Sequence, residues 1–230
     1  MALAFLTRLA PARLASSRAL CASVPFFPLV GAVLGLVLVL PFYLGLLQGQ
    51  ALVQAWLYVL FSAWLTRALH LDGLADVLDA LGSGRQGEEF FAILKDSRLG
   101  AFGAVGLALT IAGQVALAAA CFERQDLAPL FFAPLFGRCL PLILAKCAPP
   151  HPGASLGLLL ATQRNGALFC GQALALAAGL WLLGPAALGL CLLLGALAVL
   201  FLRRVALAQG GYNGDYLGCA IIAGEMAVLL

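Results

Sequence analysis

The chain has 230 residues, of which 63% are hydrophobic and only 10% charged, an apolar share that excludes an ordinary soluble domain and points to a lipid bilayer as its partner. A formal net charge of +3 gives little attraction for a polyanion, so no nucleic-acid partner is expected. The seven cysteines are odd in number and include no C-x-x-C, which argues against both a disulfide framework and a thiolate zinc site.

In chain order, the leader holds Arg8, Arg13 and Arg18 spread along it. The first apolar run, 26–47, is too long for a signal-peptide core and is expected to stay as a span. Further runs of suitable length follow at 51–69, 99–121, 127–148, 166–183 and 185–202, with a seventh beginning near Leu217. Pro41, Gly184 and Pro185 are tolerated in such helices, and Gly31 with Gly35 forms a G-x-x-x-G suited to close helix packing. The expectation is one all-α domain over 1–230, a polytopic integral membrane helical bundle of about six to seven transmembrane helices.

An alternating path gathers the connections 70–98, 149–165 and 203–216 on one side with the N-terminus. Arg8, Arg13, Arg18, Arg67, Arg85, Lys95, Arg98, Lys146, Arg164, Arg203 and Arg204 then share that side, and only Arg124 falls opposite. The positive-inside rule makes the crowded side cytoplasmic. Arg138 and Glu225 fall within spans and must face protein or water, either as a structural pair or as substrate contacts.

Three polar segments on that side hold the candidate chemistry. In "HLDGLADVLDALG", from His70 to Gly82, Asp72, Asp76 and Asp79 lie on one face of a helix. Three close carboxylates repel unless water screens them or a cation bridges them, and a charge at membrane depth costs about 3 kcal/mol. Hard oxygen ligands suit Mg2+, and Gly73 leaves room for a phosphate; a solvated amphipathic helix leaving the membrane explains the same spacing without any ligand. In "LKDSRLGAFG", Lys95 and Arg98 could neutralise a diphosphate, and Asp96 could be a metal ligand or orient a basic side chain. In "RRVALAQGGYNGDYLG", Arg203 and Arg204 precede a glycine turn and Asp215; this segment is either a phosphate loop or simply a turn between helices.

Taken in order, "HLDGLADVLDALG", "LKDSRLGAFG" and "GGYNGDYLGCA", with "FLTRL" near the start and "FFPLVGAVLG" at the first span, closely resemble the membrane-bound cobalamin synthase family, the adenosylcobinamide-GDP ribazoletransferases. The resemblance covers most of the chain. It implies that adenosylcobinamide-GDP and α-ribazole, or its 5′-phosphate, are joined with release of GMP, with Mg2+ as cofactor. The implied reaction is phosphoryl transfer, in which the ribose 3′-hydroxyl attacks the phosphorus nearer the cobinamide. It further implies a prokaryotic inner (plasma) membrane, a site facing the cytoplasm, and leaves homo-oligomer formation open.

On that resemblance Asp72, Asp76 and Asp79 are expected as Mg2+ ligands, with Asp96 or Asp215 completing the set. Lys95, Arg98, Arg203 and Arg204 are expected at the diphosphate, with Gly73, Ser97 and Asn213 also at the substrate. Asp79 is the favoured proton acceptor, with His70 and Asp215 as alternatives. Where the family reads T-G-D this chain reads Asn213-Gly214-Asp215, which keeps a hydrogen-bonding side chain. Two competing enzyme classes cleave diphosphates in membranes. A CDP-alcohol phosphotransferase calls for D-x-x-D-G-x-x-A-R, which is absent here, and a prenyltransferase would ionise the diphosphate instead. An ion-coupled transporter would place its acids near the midplane.

Overall fold

A computed structural model describes residues 1–11, 16–161 and 165–230. Arg13 and Arg164 lie outside the described residues, as does the side chain of Arg18. In chain order the helices are α1 (Ala2–Leu6), α2 (Ser17–Ser23), α3 (Phe27–Tyr43), α4 (Ala51–Leu65), α5 (Leu69–Gly82), α6 (Glu88–Leu94), α7 (Ala101–Glu123), α8 (Ala128–Gly137), α9 (Leu140–Cys147), α10 (Ser155–Ala161), α11 (Asn165–Gln209) and α12 (Gly214–Leu229). Within α11, Gly184 has φ +78° and breaks the helix ahead of Pro185. No strand occurs among the described residues, so the backbone polar groups are satisfied within helices, as a bilayer requires.

Among the described residues four segments can cross a membrane by length and hydropathy: Ala19–Tyr43, Ala101–Glu123, Ala128–Cys147 and the broken 41-residue segment Phe169–Gln209; α4 and α5 make a fifth if counted as one bent span. That is fewer than the six to seven spans expected: the runs at 166–183 and 185–202 fall on one long broken segment, and α4 and α12, with 15 and 16 residues, are short of a full span by themselves. The largest departure is the run 51–69, which does not continue as one helix. Arg67 and Ala68 both adopt left-handed φ, +57° and +53°, and α5 leaves α4 at 89°, turned aside at the polar end of the bundle.

The helices alternate between two ends of the bundle. At one end Arg8 donates its backbone N–H to Leu65 O (2.7 Å) and its Nε to Trp64 O (2.8 Å). There too Gly87 N donates to Gln209 Oε1 (2.9 Å), His151 N donates to Tyr212 O (2.8 Å), and the rings of Phe91 and His151 stack at 3.8 Å. These contacts join the N-terminal segment to the end of α4, and the connections after α5, α9 and α11 to one another. The loops after α3 and α7 meet at the opposite end, around Tyr43, Gln48 and Gln125. The expected sharing of one side by the polar connections therefore holds in the fold.

Small residues let backbones meet. Gly31 and Gly35 of α3 lie against the α8 backbone, where a Cβ on Gly31 would come within 2.6 Å of Leu135 Cα; this is the close packing expected of the G-x-x-x-G. Arg138 is fully buried and pairs through Nη1 with Glu225 Oε1, while also donating to Pro134 O at 2.9 Å. The two mid-span charges are thus a structural pair.

Candidate active site

The site begins with a backbone contact. A Cβ on Gly73 of α5 would come within 2.9 Å of both Cα and O of Asp215, and one on Gly218 would lie 3.3 Å from His70 Cα. Helices α5 and α12 therefore run past each other antiparallel at glycine-permitted distance. The space beside Gly73, expected to admit a phosphate, is filled by the backbone of α12. What the glycine does is bring Asp215 to the acidic face of α5. Asp72 and Asp215 line one cleft of about 120 Å³.

Asp215 is held by Asn213, whose Oδ1 accepts from Asp215 N (3.2 Å) and whose Nδ2 donates to Asp215 Oδ2 (2.7 Å). Asn213 is thus the N-cap of α12, a role for which Asn and Thr are both suited, which explains how the Asn-Gly-Asp sequence serves here. The other Asp215 carboxylate oxygen takes no part in that bond.

Asp72 is exposed, while Asp76 and Asp79 are half-buried. The outer part of α5 lies at the water boundary, since three carboxylates at membrane depth would each cost about 3 kcal/mol. Partial burial, followed by the charges of Asp215, Asp72 and Asp79, pushes the Asp76 carboxyl up to about 7. These four acids form one electrostatic cluster, but their roles differ. Asp79 Oδ2 accepts from Gly100 N (2.8 Å) and Oδ1 from Gly103 N (2.7 Å), so both its oxygens cap the first turn of α7, whose own N-cap, Gly100, has no side chain to do so. Asp79, expected as a metal ligand and proton acceptor, thus also accepts a backbone amide on each oxygen.

Asp96 and Arg98 form a bidentate pair: Arg98 Nη2 donates to Oδ2 at 2.6 Å and Nε to Oδ1 at 2.9 Å. The Arg98 side chain, with its backbone N–H adding a further bond, holds Asp96 down to about 2. Of the two roles open to Asp96, the geometry realises the orienting one. Arg98 remains 87% exposed in its side chain, with Lys95 and Ser97 exposed beside it. Arg203 donates Nε to Cys147 O at 2.9 Å and so secures the end of α9; Arg204 is exposed. His70, expected at the membrane boundary, is only 4% exposed and its Nε2 has no partner among the described residues.

Sequence reasoning missed Gly100 and Gly103, whose signal was a helix start of glycines with no capping side chain. It also missed the cleft wall formed by Phe5, Leu6, Phe27 and Pro141. The first three of these sit inside "FLTRL" and "FFPLVGAVLG".

Among the described residues no three acidic, imidazole or thiol groups converge on one point that could hold an ion unaided. Mg2+ does not need three: one or two carboxylates with substrate phosphate oxygens suffice, and Asp72 and Asp215 on one cleft wall fit that pattern.

The described residues thus form an all-helical bundle with helices apolar enough to cross a membrane, and a polar end where Asp72 and Asp215 share a cleft and Arg98 is exposed nearby. The chain belongs to the cobalamin-5-phosphate synthase family (CobS), whose profile matches residues 1–230. It is 46% identical over 229 residues to the adenosylcobinamide-GDP ribazoletransferase of Nitratidesulfovibrio vulgaris strain Miyazaki F, covering 98% of this chain and 90% of that protein. It is 43% identical over 235 residues to the protein of the same name from Nitratidesulfovibrio vulgaris strain DP4, covering 100% of this chain and 94% of that one. No solved structure matches.

Proposed function

We propose that this chain joins adenosylcobinamide-GDP to α-ribazole, or to α-ribazole 5′-phosphate, releasing GMP, and that it does so with Mg2+ at the cytoplasmic face of a prokaryotic inner membrane. The observation that supports the site most directly is the meeting of Asp72 and Asp215 in one cleft, drawn from helices far apart in sequence. A bound Mg2+ would offset the charge of the diphosphate and of the departing GMP.

The protein's own groups do the rest. Asp72 and Asp215 present oxygens to the ion, and Asn213 fixes Asp215 in place. Asp76, half-buried among three other acids, takes the proton of the ribose 3′-hydroxyl; its burial, the largest cause, raises its affinity for a proton and suits it to that role. The hydroxyl oxygen bonds to the phosphorus nearer the cobinamide, and the bond from that phosphorus to the bridging oxygen breaks. Arg98, oriented by Asp96, and Lys95 meet the diphosphate from the adjoining loop. The basic content of the site end, from Arg8 to Arg204, supports a cytoplasmic orientation.

The test is turnover by purified protein in detergent or liposomes supplied with both substrates and Mg2+, with GMP and the joined corrinoid followed together. Equimolar formation of both is expected, abolished by exhaustive chelation and reduced at least a hundredfold in Asp72→Asn and Asp215→Asn. GMP release without α-ribazole, or full turnover after chelation, would contradict the mechanism.

A further inference from the structure

In two segments that the family resemblance marked, "FLTRL" and "FFPLVGAVLG", the one charged side chain, Arg8, is engaged by Trp64, and the apolar side chains help build the reaction cleft. The cleft of about 120 Å³ behind Asp72 and Asp215 is walled by Phe5 and Leu6 of α1, Phe27 at the start of α3, Pro141 of α9, and Leu217 and Ile221 of α12. The rings of Phe5 and Phe27 stack with centroids 6.2 Å apart and 20° between their planes. The N-terminal segment is fixed against the bundle by Arg8 on Trp64 and by Arg67 Nη1 donating to Ala4 O at 3.3 Å. With α5, which adds Leu69, His70 and Asp72, five separate stretches of chain therefore converge on an apolar chamber whose rim is acidic.

Chemistry selects which part of the two reactants this chamber accepts. The corrin ring far exceeds its volume. Guanine brings a carbonyl, an amino group and ring nitrogens that an apolar wall would leave unpaired, at about 1–3 kcal/mol for each group. The base of α-ribazole is a flat dimethylbenzimidazole with a single unsubstituted ring nitrogen, and it is joined to the ribose whose hydroxyl must reach the acids. Buried His70 borders this cleft and also a smaller neighbouring cavity shared with Ser62, Gln114 and Glu225, and its Nε2 is unpartnered among the described residues.

Resting on the function proposed above, we infer that this chamber is the α-ribazole subsite: the dimethylbenzimidazole packs among Phe5, Phe27 and Ile221, and the ribose emerges at Asp72, Asp76 and Asp215. The N-terminal segment is then a specificity element rather than a topological leader alone.

Steady-state kinetics test this with α-ribazole and its analogue lacking both base methyls. Burial of two methyls predicts a KM roughly tenfold higher for the analogue on the unaltered protein. In Phe5→Ala, and independently in Ile221→Phe, which fills the chamber, the α-ribazole KM should rise about tenfold while the KM for adenosylcobinamide-GDP stays within about twofold, and the preference for the methylated base should shrink to about twofold or threefold. Hydrogen exchange on the unaltered protein gives a readout independent of folding of the variants: α-ribazole should slow exchange in residues 2–9 and 214–222 and leave 44–50 unchanged. A raised KM for the other substrate alone, an unchanged methyl preference in both variants, or protection absent from 2–9 would overturn the subsite. Absence of GMP release by the unaltered protein would instead sink the proposed reaction, while the exchange experiment would still report on the chamber.

Discussion

Asp79→Asn separates a structural carboxylate from a catalytic one. In the native protein both Asp79 oxygens accept backbone N–H bonds, from Gly100 and Gly103, at the N-terminus of the 23-residue helix α7. Asparagine keeps the shape but turns one acceptor into an NH2 that faces an N–H. A hydrogen bond to a charged group contributes about 1.5–3 kcal/mol, and an anion at a helix N-terminus a further 0.3–1 kcal/mol or so. The expected loss is therefore about 2–4 kcal/mol, drawn from the capping bond and the lost charge together. At roughly 2–4 °C per kcal/mol for a chain of this size, the unfolding midpoint should fall by about 5–15 °C.

The assay is thermal unfolding in detergent, followed by circular dichroism without added divalent cations so that ligand binding adds nothing to the midpoint. Asp72→Asn is the control. Asp72 is exposed, so its substitution should move the midpoint by less than about 0.5 kcal/mol equivalent while abolishing turnover. If Asp79→Asn left the midpoint within about 2 °C of the native value yet removed activity, the capping argument would fail and Asp79 would return to the catalytic set.

Other outcomes follow from the same geometry. Arg138→Leu leaves Glu225 buried and unpaired and should cost about 3–5 kcal/mol, whereas Arg138→Leu with Glu225→Leu should recover most of that loss; unfolding midpoints of the two variants check this. Burial, then the charges of Asp215, Asp72 and Asp79, push the Asp76 carboxyl up to about 7 in the metal-free protein, and a cation held by Asp72 and Asp215 should lower it again; kcat/KM should fall as pH drops, with a midpoint that moves up as Mg2+ is reduced, and a midpoint indifferent to Mg2+ would remove Asp76 from the base role. Gly73→Ala places a Cβ 2.9 Å from the Asp215 backbone, which forces α5 and α12 apart; turnover should drop on the order of a hundredfold with insertion intact, measured as GMP release per folded protein.

Much of this architecture was legible in sequence because bilayer thickness and helical periodicity act locally. The apolar runs located the spans, Gly184 and Pro185 marked a real break, and positions 72, 76 and 79 did share one helical edge. The run 51–69 misled because its break falls at Arg67 and Ala68, where no glycine or proline announces a left-handed backbone. Partnership was harder still. Nothing in "HLDGLADVLDALG" tells that Asp79 looks towards Gly100 and Gly103 while Asp72 looks towards Asp215, since the difference is made by which helix lies beside each turn of α5.

That difference has a physical consequence for how such acidic stripes are read. Carboxylates in one electrostatic cluster need not act alike, because a residue whose two oxygens each accept a backbone amide is tied to that helix start, however well its spacing matches its neighbours. Here the two carboxylates that line the open cleft come from different helices, and the contact that brings them together is a glycine with no functional group at all. Gly73 and Gly218 set the separation of α5 and α12, Asn213 sets the orientation of Asp215, and Asp79 sets the start of α7 and with it the position of the loop bearing Arg98.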